Sequence, residues 1–183
     1  MTHISEFSAE EAERLMALPY KVGMYVSYAD DEDGEGDDQK EMQALEESIK
    51  AVAGLYETQP FIQVIADQTL NMKMEWPRWA ASAFQVENEI KTAVSLLRAK
   101  ASDEELKAFR TMLVEIATTV AQAHGEFSSF DEEEQKNGFG ALVGKIVSGF
   151  SDISKEDENH PMNVSAAEDS AIEDIKKALR PET

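Results

Sequence analysis

Leu106, Phe109, Leu113, Ile116, Val120 and Ala123 follow one another at alternating steps of three and four. That spacing lines every apolar side chain along one stripe of an α-helix, whereas the period of two in a strand would scatter them over both faces. The same rhythm recurs on Val22, Val26 and Ala29, then on Met42, Leu45, Ile49, Val52 and Tyr56, and again on Phe139, Leu142, Val143, Ile146 and Phe150. No segment alternates convincingly with period two. The expected fold is all-α, a single helical domain of about seven helices whose stripes cover one another.

Helix ends are also written in the chain. Ser8-Ala9-Glu10-Glu11, Ser102-Asp103-Glu104-Glu105 and Ser165-Ala166-Ala167-Glu168 each read as a capping box, in which serine and glutamate satisfy free backbone N–H groups at a helix start. Pro19 predicts an interruption or kink in the first helix, because proline lacks the N–H that a helix interior needs. A second helix is expected from about Asp38 to Tyr56 and a third over Phe61 to Met72. Trp76-Pro77-Arg78-Trp79 marks a turn with two aromatic anchors, and the helix after it carries Phe84, Ile90 and Leu97. Gly138, Gly140 and Gly144 lie within a helical pattern and predict the close approach of a neighbouring backbone.

Sliding the chain against itself by 94 residues brings Val22 onto Ile116, Val26 onto Val120, Leu45 onto Phe139, Ile49 onto Val143 and Val52 onto Ile146. Acids in the intervening segments align as well, Glu32 with Glu126, Asp37 with Asp131 and Asp38 with Glu132. The expectation is two pseudo-symmetric helix–acidic loop–helix units, residues 10–57 and 104–151, packed face to face in a domain over 1–150. Residues 151–183 then form a polar linker and a short amphipathic helix on Ile172, Ile175 and Leu179, which either docks on the body or grips a partner.

Charge narrows the function. Asp plus Glu number 37 against 17 Lys plus Arg, a formal net charge of -20. Such a field repels phosphate backbones and anionic lipids and attracts cations or basic proteins, so no nucleic-acid partner is expected. The absence of cysteine removes disulfides, zinc–thiolate sites and thiol catalysis, and fits a reducing cytoplasm. The polar N-terminus carries no signal-peptide pattern, and no apolar run reaches the length of a membrane span. His3, His124 and His160 are the only histidines and form no H-E-x-x-H pair. G-x-S-x-G is missing, and the glycines of residues 138–144 have no preceding strand to make a dinucleotide loop.

The densest chemistry lies in Asp30-Asp31-Glu32-Asp33-Gly34-Glu35-Gly36-Asp37-Asp38-Gln39-Lys40-Glu41, where eight of twelve residues are carboxylates. They repel one another unless a cation or solvent screens them, and a hard ion such as Ca²⁺ takes several oxygen ligands of this kind. An EF-hand loop is a poor match, since glycine falls at position 5 instead of 6 and Asp37 stands where an aliphatic residue belongs. Acids at a helix start, and a cationic histidine at a helix end, also favour the helix dipole with no ligand at all. Both readings are open for Asp131 to Glu134 and His124, and for the acids of residues 30–41 as well.

Ala123-His124-Gly125-Glu126-Phe127-Ser128-Ser129-Phe130-Asp131-Glu132-Glu133-Glu134 resembles the helix–A-D-G-E-x-S-x-x-E–helix signature of the tellurite-resistance TerB-like family, and Tyr28 to Asp38 carries the same theme. His124 stands where that motif has Asp, and Asp131 where it has Glu. The resemblance implies an all-helical bacterial protein of two similar halves, linked with divalent metals and stress responses. Carried over by position, it implies one metal site of Asp30, Glu32, Asp37, Asp38 and Glu41, and a second of His124, Glu126, Asp131 and Glu134. The expected function is therefore non-enzymatic binding of Ca²⁺ or Mg²⁺ by a cytoplasmic TerB-like protein. An acidic interaction module for a basic protein is the alternative, a homodimer is an open possibility, and a metal-assisted hydrolase is the third reading.

Overall fold

The apolar stripes cover one another helix against helix. The computed structural model describes residues 1–29, 38–127, 143–146 and 164–180, with the side chains of 38–41 and 124–127 outside the description. Helix α1 spans Ala9–Ala29, α2 Asp38–Ala53, α3 Pro60–Asn71, α4 Trp76–Ala80, α5 Val86–Lys100, α6 Asp103–Phe127 and α7 Ala166–Leu179. Short 3-10 turns at Ile4–Glu6, Gly54–Tyr56, Lys73–Glu75 and Ala83–Gln85 join several of them. Residues 143–146 are helical too, and the described residues contain no strand. The fold is all-α.

Helices α1 and α6 pack along one another at the centre. Helix α2 lies against α6 and α3, and α5 against α1. Leu15, Leu18, Val22 and Val26 of α1 are sealed from solvent, as are Phe109, Leu113, Ile116, Val120 and Ala123 of α6. Ile49 and Val143 are buried as well. Gly23 marks the tightest approach. A Cβ there would run into the Leu45 side chain of α2 and lie 3.4 Å from Val120 of α6. Among the described residues nothing lies within 4 Å of a Cβ at the exposed Gly144. Gly138 and Gly140 fall outside the described residues.

Both central helices begin on the serine–glutamate caps read from the sequence. The Glu11 N–H donates to Ser8 Oγ at 3.2 Å, and Glu11 Oε2 accepts from the Ser8 N–H at 2.8 Å. Ser102 and Glu105 repeat the arrangement at 3.2 and 2.9 Å. Glu105 does more, because the Thr2 N–H and hydroxyl donate to it at 2.9 and 2.7 Å and tie the N-terminal segment to α6. Burial penalises this carboxylate, but hydrogen bonds from Ser102 and Thr2 outweigh the penalty and bring its pKa down to about 2. A carboxylate depressed in the fold adds stability above its ordinary pKa of 4.5, and that contribution is lost as pH falls towards 2. Glu105→Ala is therefore expected to lower unfolding free energy by about 2 kcal/mol at pH 7. In urea melts across pH, its deficit against the parent protein should shrink below pH 4.5; a constant deficit would contradict the assignment.

Two expectations need correction, and for the C-terminal helix packing on the body is observed. Helix α1 runs unbroken through Pro19, which is itself buried; Leu15, Leu18 and Val22 are held in the core on either side, and that packing carries the helix across the missing hydrogen bond. Phe84 belongs to a 3-10 turn ahead of α5 and is 72% exposed. Its spacing of six from Ile90 is out of register with the stripe of Val86, Ile90, Ala93, Val94 and Leu97 that α5 buries. The C-terminal helix α7 docks on α1, α5 and α6 and buries Ala171, Ile172, Ile175, Ala178 and Leu179. Its N-terminus is closed by the expected Ser165–Glu168 box.

Candidate functional site

Lys21 sits in α1 among Leu18, Tyr20, Val22 and Met24, where the helix is buried nearly all round. Only 6% of the residue is exposed, so its ammonium group needs a partner. Glu89 of α5 supplies one, with both carboxylate oxygens 2.8 Å from Lys21 Nζ. This ion pair forms the floor of a cleft of about 420 Å³ between α1, α4 and α5. Arg14 and Glu10 pair at 3.5 Å on one wall. On another, Arg78 of α4 bridges Glu13 and Glu75, and the Trp79 indole N–H donates to Glu13 at 3.3 Å. The hydrogen bond from Arg78 holds the Glu13 carboxyl below its usual range against the opposing effect of burial.

Each cation lining this cleft is thus matched by a carboxylate, and Ser82, Gln85 and Asn88 add neutral polar groups. Glu13, kept ionised by Arg78, has no proton to give at neutral pH, and no histidine lines the recess. The cleft offers charge-matched polar contacts. The sequence held one signal for it, a lysine in the middle of an apolar helical run. Its partner Glu89 lies 68 residues away, and no local pattern connects the two.

A second titratable pair joins α6 to the turn after α2. The Tyr56 hydroxyl donates to Glu115 at 2.6 Å. Burial pushes the Glu115 carboxyl up and the Tyr56 phenol far above its ordinary value. Neither residue lines the polar cleft, and the pair acts as a link between helices.

The expected metal ligands are distributed as follows. Asp30, Glu32 and Asp37, and likewise Asp131 and Glu134, lie outside the described residues. Asp38 and Glu41 fall in the first turn of α2, and His124 and Glu126 near the end of α6, with their side chains outside the description. Among the described residues no group of three or more histidine, aspartate or glutamate side chains is arranged to hold a metal ion. No described helix is long and apolar enough to cross a membrane. No protein family, curated protein or solved structure matches the chain.

Proposed function

We propose that the chain is a non-enzymatic helical protein that binds divalent cations, Ca²⁺ or Mg²⁺, in the acidic segments joining its helices, with a TerB-like role in stress response. The observation that carries this reading is the charge of residues 30–41, eight carboxylates against the single Lys40. Helix capping uses one or two acids, so a density of eight exceeds what a helix start needs. Several basic residues elsewhere are engaged with other carboxylates: Lys21 with Glu89, Lys50 and Lys73 with Glu46, Arg78 with Glu13, and Lys100 with Glu11. A divalent ion bound by several of these carboxylates would relieve their repulsion directly.

The duplication of residues 10–57 and 104–151 belongs to the same proposal. It is supported by the matched caps at Ser8 and Ser102, which stand 94 residues apart as the apolar positions do, and by the burial of both Ile49 and Val143. On that reading Asp30, Glu32, Asp37, Asp38 and Glu41 form the principal site, and His124, Glu126, Asp131 and Glu134 its counterpart.

An ion that binds the folded chain raises its stability by mass action. Thermal melts at constant ionic strength should therefore show the midpoint climbing steadily with calcium or magnesium concentration. At a hundred times the dissociation constant the gain is about 2.7 kcal/mol. In Asp37→Asn/Asp38→Asn the climb should be largely lost. A midpoint that responds equally to sodium and to calcium, or equally in both proteins, would reduce the effect to general screening.

A further inference from the structure

The C-terminal end of α1, the turn at Ala83–Gln85 and the first half of α7 enclose a groove of about 430 Å³. Its walls are aromatic, formed by Tyr25, Tyr28 and Phe84. Phe84 is 72% exposed and Tyr28 49% exposed, so the groove presents two aromatic rings to water. Its rim is acidic. Asp174 lines the groove, and Glu87 accepts a hydrogen bond from the Tyr25 hydroxyl at 3.2 Å. Asp174 stands near enough to the same hydroxyl to raise its pKa, as Glu87 does.

The one proton of the phenol goes to Glu87, so the Asp174 carboxylate beside it stays without it. Burial, with Glu87 and Asp174 beside it, pushes the Tyr25 phenol up to about 12 and keeps it protonated at neutral pH. Lys177 approaches Asp174 only at 3.5 Å from an exposed position, and no lysine or arginine lines the groove. The site therefore combines π faces with two carboxylates, of which Asp174 meets a cation only at 3.5 Å. An acidic or nucleic-acid partner would be repelled here. A purely apolar one would cover Glu87 and Asp174 without compensating them.

We infer that this groove docks a basic amphipathic segment of a partner protein, with a lysine or arginine head group held by Asp174, Glu87 and the aromatic faces, and an apolar side chain resting on Phe84. The chemistry is that of cation–π contact reinforced by carboxylates, and the apolar anchor supplies the orientation that charge alone does not. The net charge of -20 speeds the encounter. This inference stands apart from cation binding by the acidic segments, and its failure would leave that proposal untouched.

The test is fluorescence anisotropy at physiological salt with a labelled helical peptide carrying lysine and leucine on one face. Phe84→Ala and Asp174→Asn are each expected to weaken binding about tenfold. Asp37→Asn/Asp38→Asn should leave it unchanged, and a peptide with serine in place of leucine should bind far more weakly. Phe84 is exposed, so its variant is expected to melt like the parent chain, and circular dichroism checks this. Overturning results would be no binding at all, equal binding by Phe84→Ala, equal binding of the serine peptide, or a loss that follows Asp37 and Asp38.

Discussion

Replacing Lys21 with methionine is expected to lower the unfolding free energy by about 3–5 kcal/mol, read from the urea midpoint by circular dichroism. The change conserves most of the side-chain volume. Its effect comes from Glu89, whose carboxylate would remain on the floor of the cleft without the ammonium group that now lies 2.8 Å from both its oxygens. Glu89→Met should cost a similar amount by stranding Lys21, which is 94% withdrawn from solvent. The double variant carries the sharper prediction. Two apolar groups of suitable volume leave no unpaired charge, so it should recover most of the loss of either single change. If the two losses simply add, the pair is not the coupled unit described.

The second large effect is expected at Trp76. Its ring stacks on Tyr20 of α1 with centroids 4.7 Å apart, and its indole N–H donates to the Thr69 carbonyl of α3 at 3.0 Å. Thr69 in turn donates its hydroxyl to the Met16 carbonyl of α1 at 2.6 Å. One residue of α4 therefore clasps α1 and α3 together. Trp76→Ala removes a large buried ring and leaves the Thr69 carbonyl without that donor, a loss of about 3–5 kcal/mol. Trp76→Phe keeps much of the ring and should cost clearly less. Since a domain of this kind is stable by about 5–15 kcal/mol, the alanine variant is expected near the limit of folding at 37 °C. Equal urea midpoints for the two variants would mean that ring packing contributes little.

These two predictions concern tertiary contacts, which the sequence announced only in part. The helices were legible because their evidence is local. Leu106 to Ala123 repeats at helical spacing, and Ser8, Ser102 and Ser165 each stand three residues before a glutamate. Pro19 misled because local backbone chemistry argues for a break, while burial of the surrounding side chains keeps α1 continuous. Gly23 was overlooked for the same reason, since nothing nearby in sequence signals that Leu45 and Val120 converge on it. The polar cleft draws on α1, α4 and α5, and the aromatic groove on α1, α7 and the turn before α5. Their residues become neighbours only after folding. Phe84 shows the limit clearly: apolar character suggested the core, and a register error of its helical face places it at the rim of a groove instead.

The acidic segment is the reverse case. Its carboxylates are fully legible in the sequence, and their density sets the claim on which the account rests. Isothermal calorimetry with calcium and then magnesium, at fixed ionic strength, tests that claim most directly. The account predicts heat that saturates at a whole-number stoichiometry and disappears in Asp37→Asn/Asp38→Asn. A shallow response without saturation, abolished by added sodium chloride and unchanged in the variant, would contradict it.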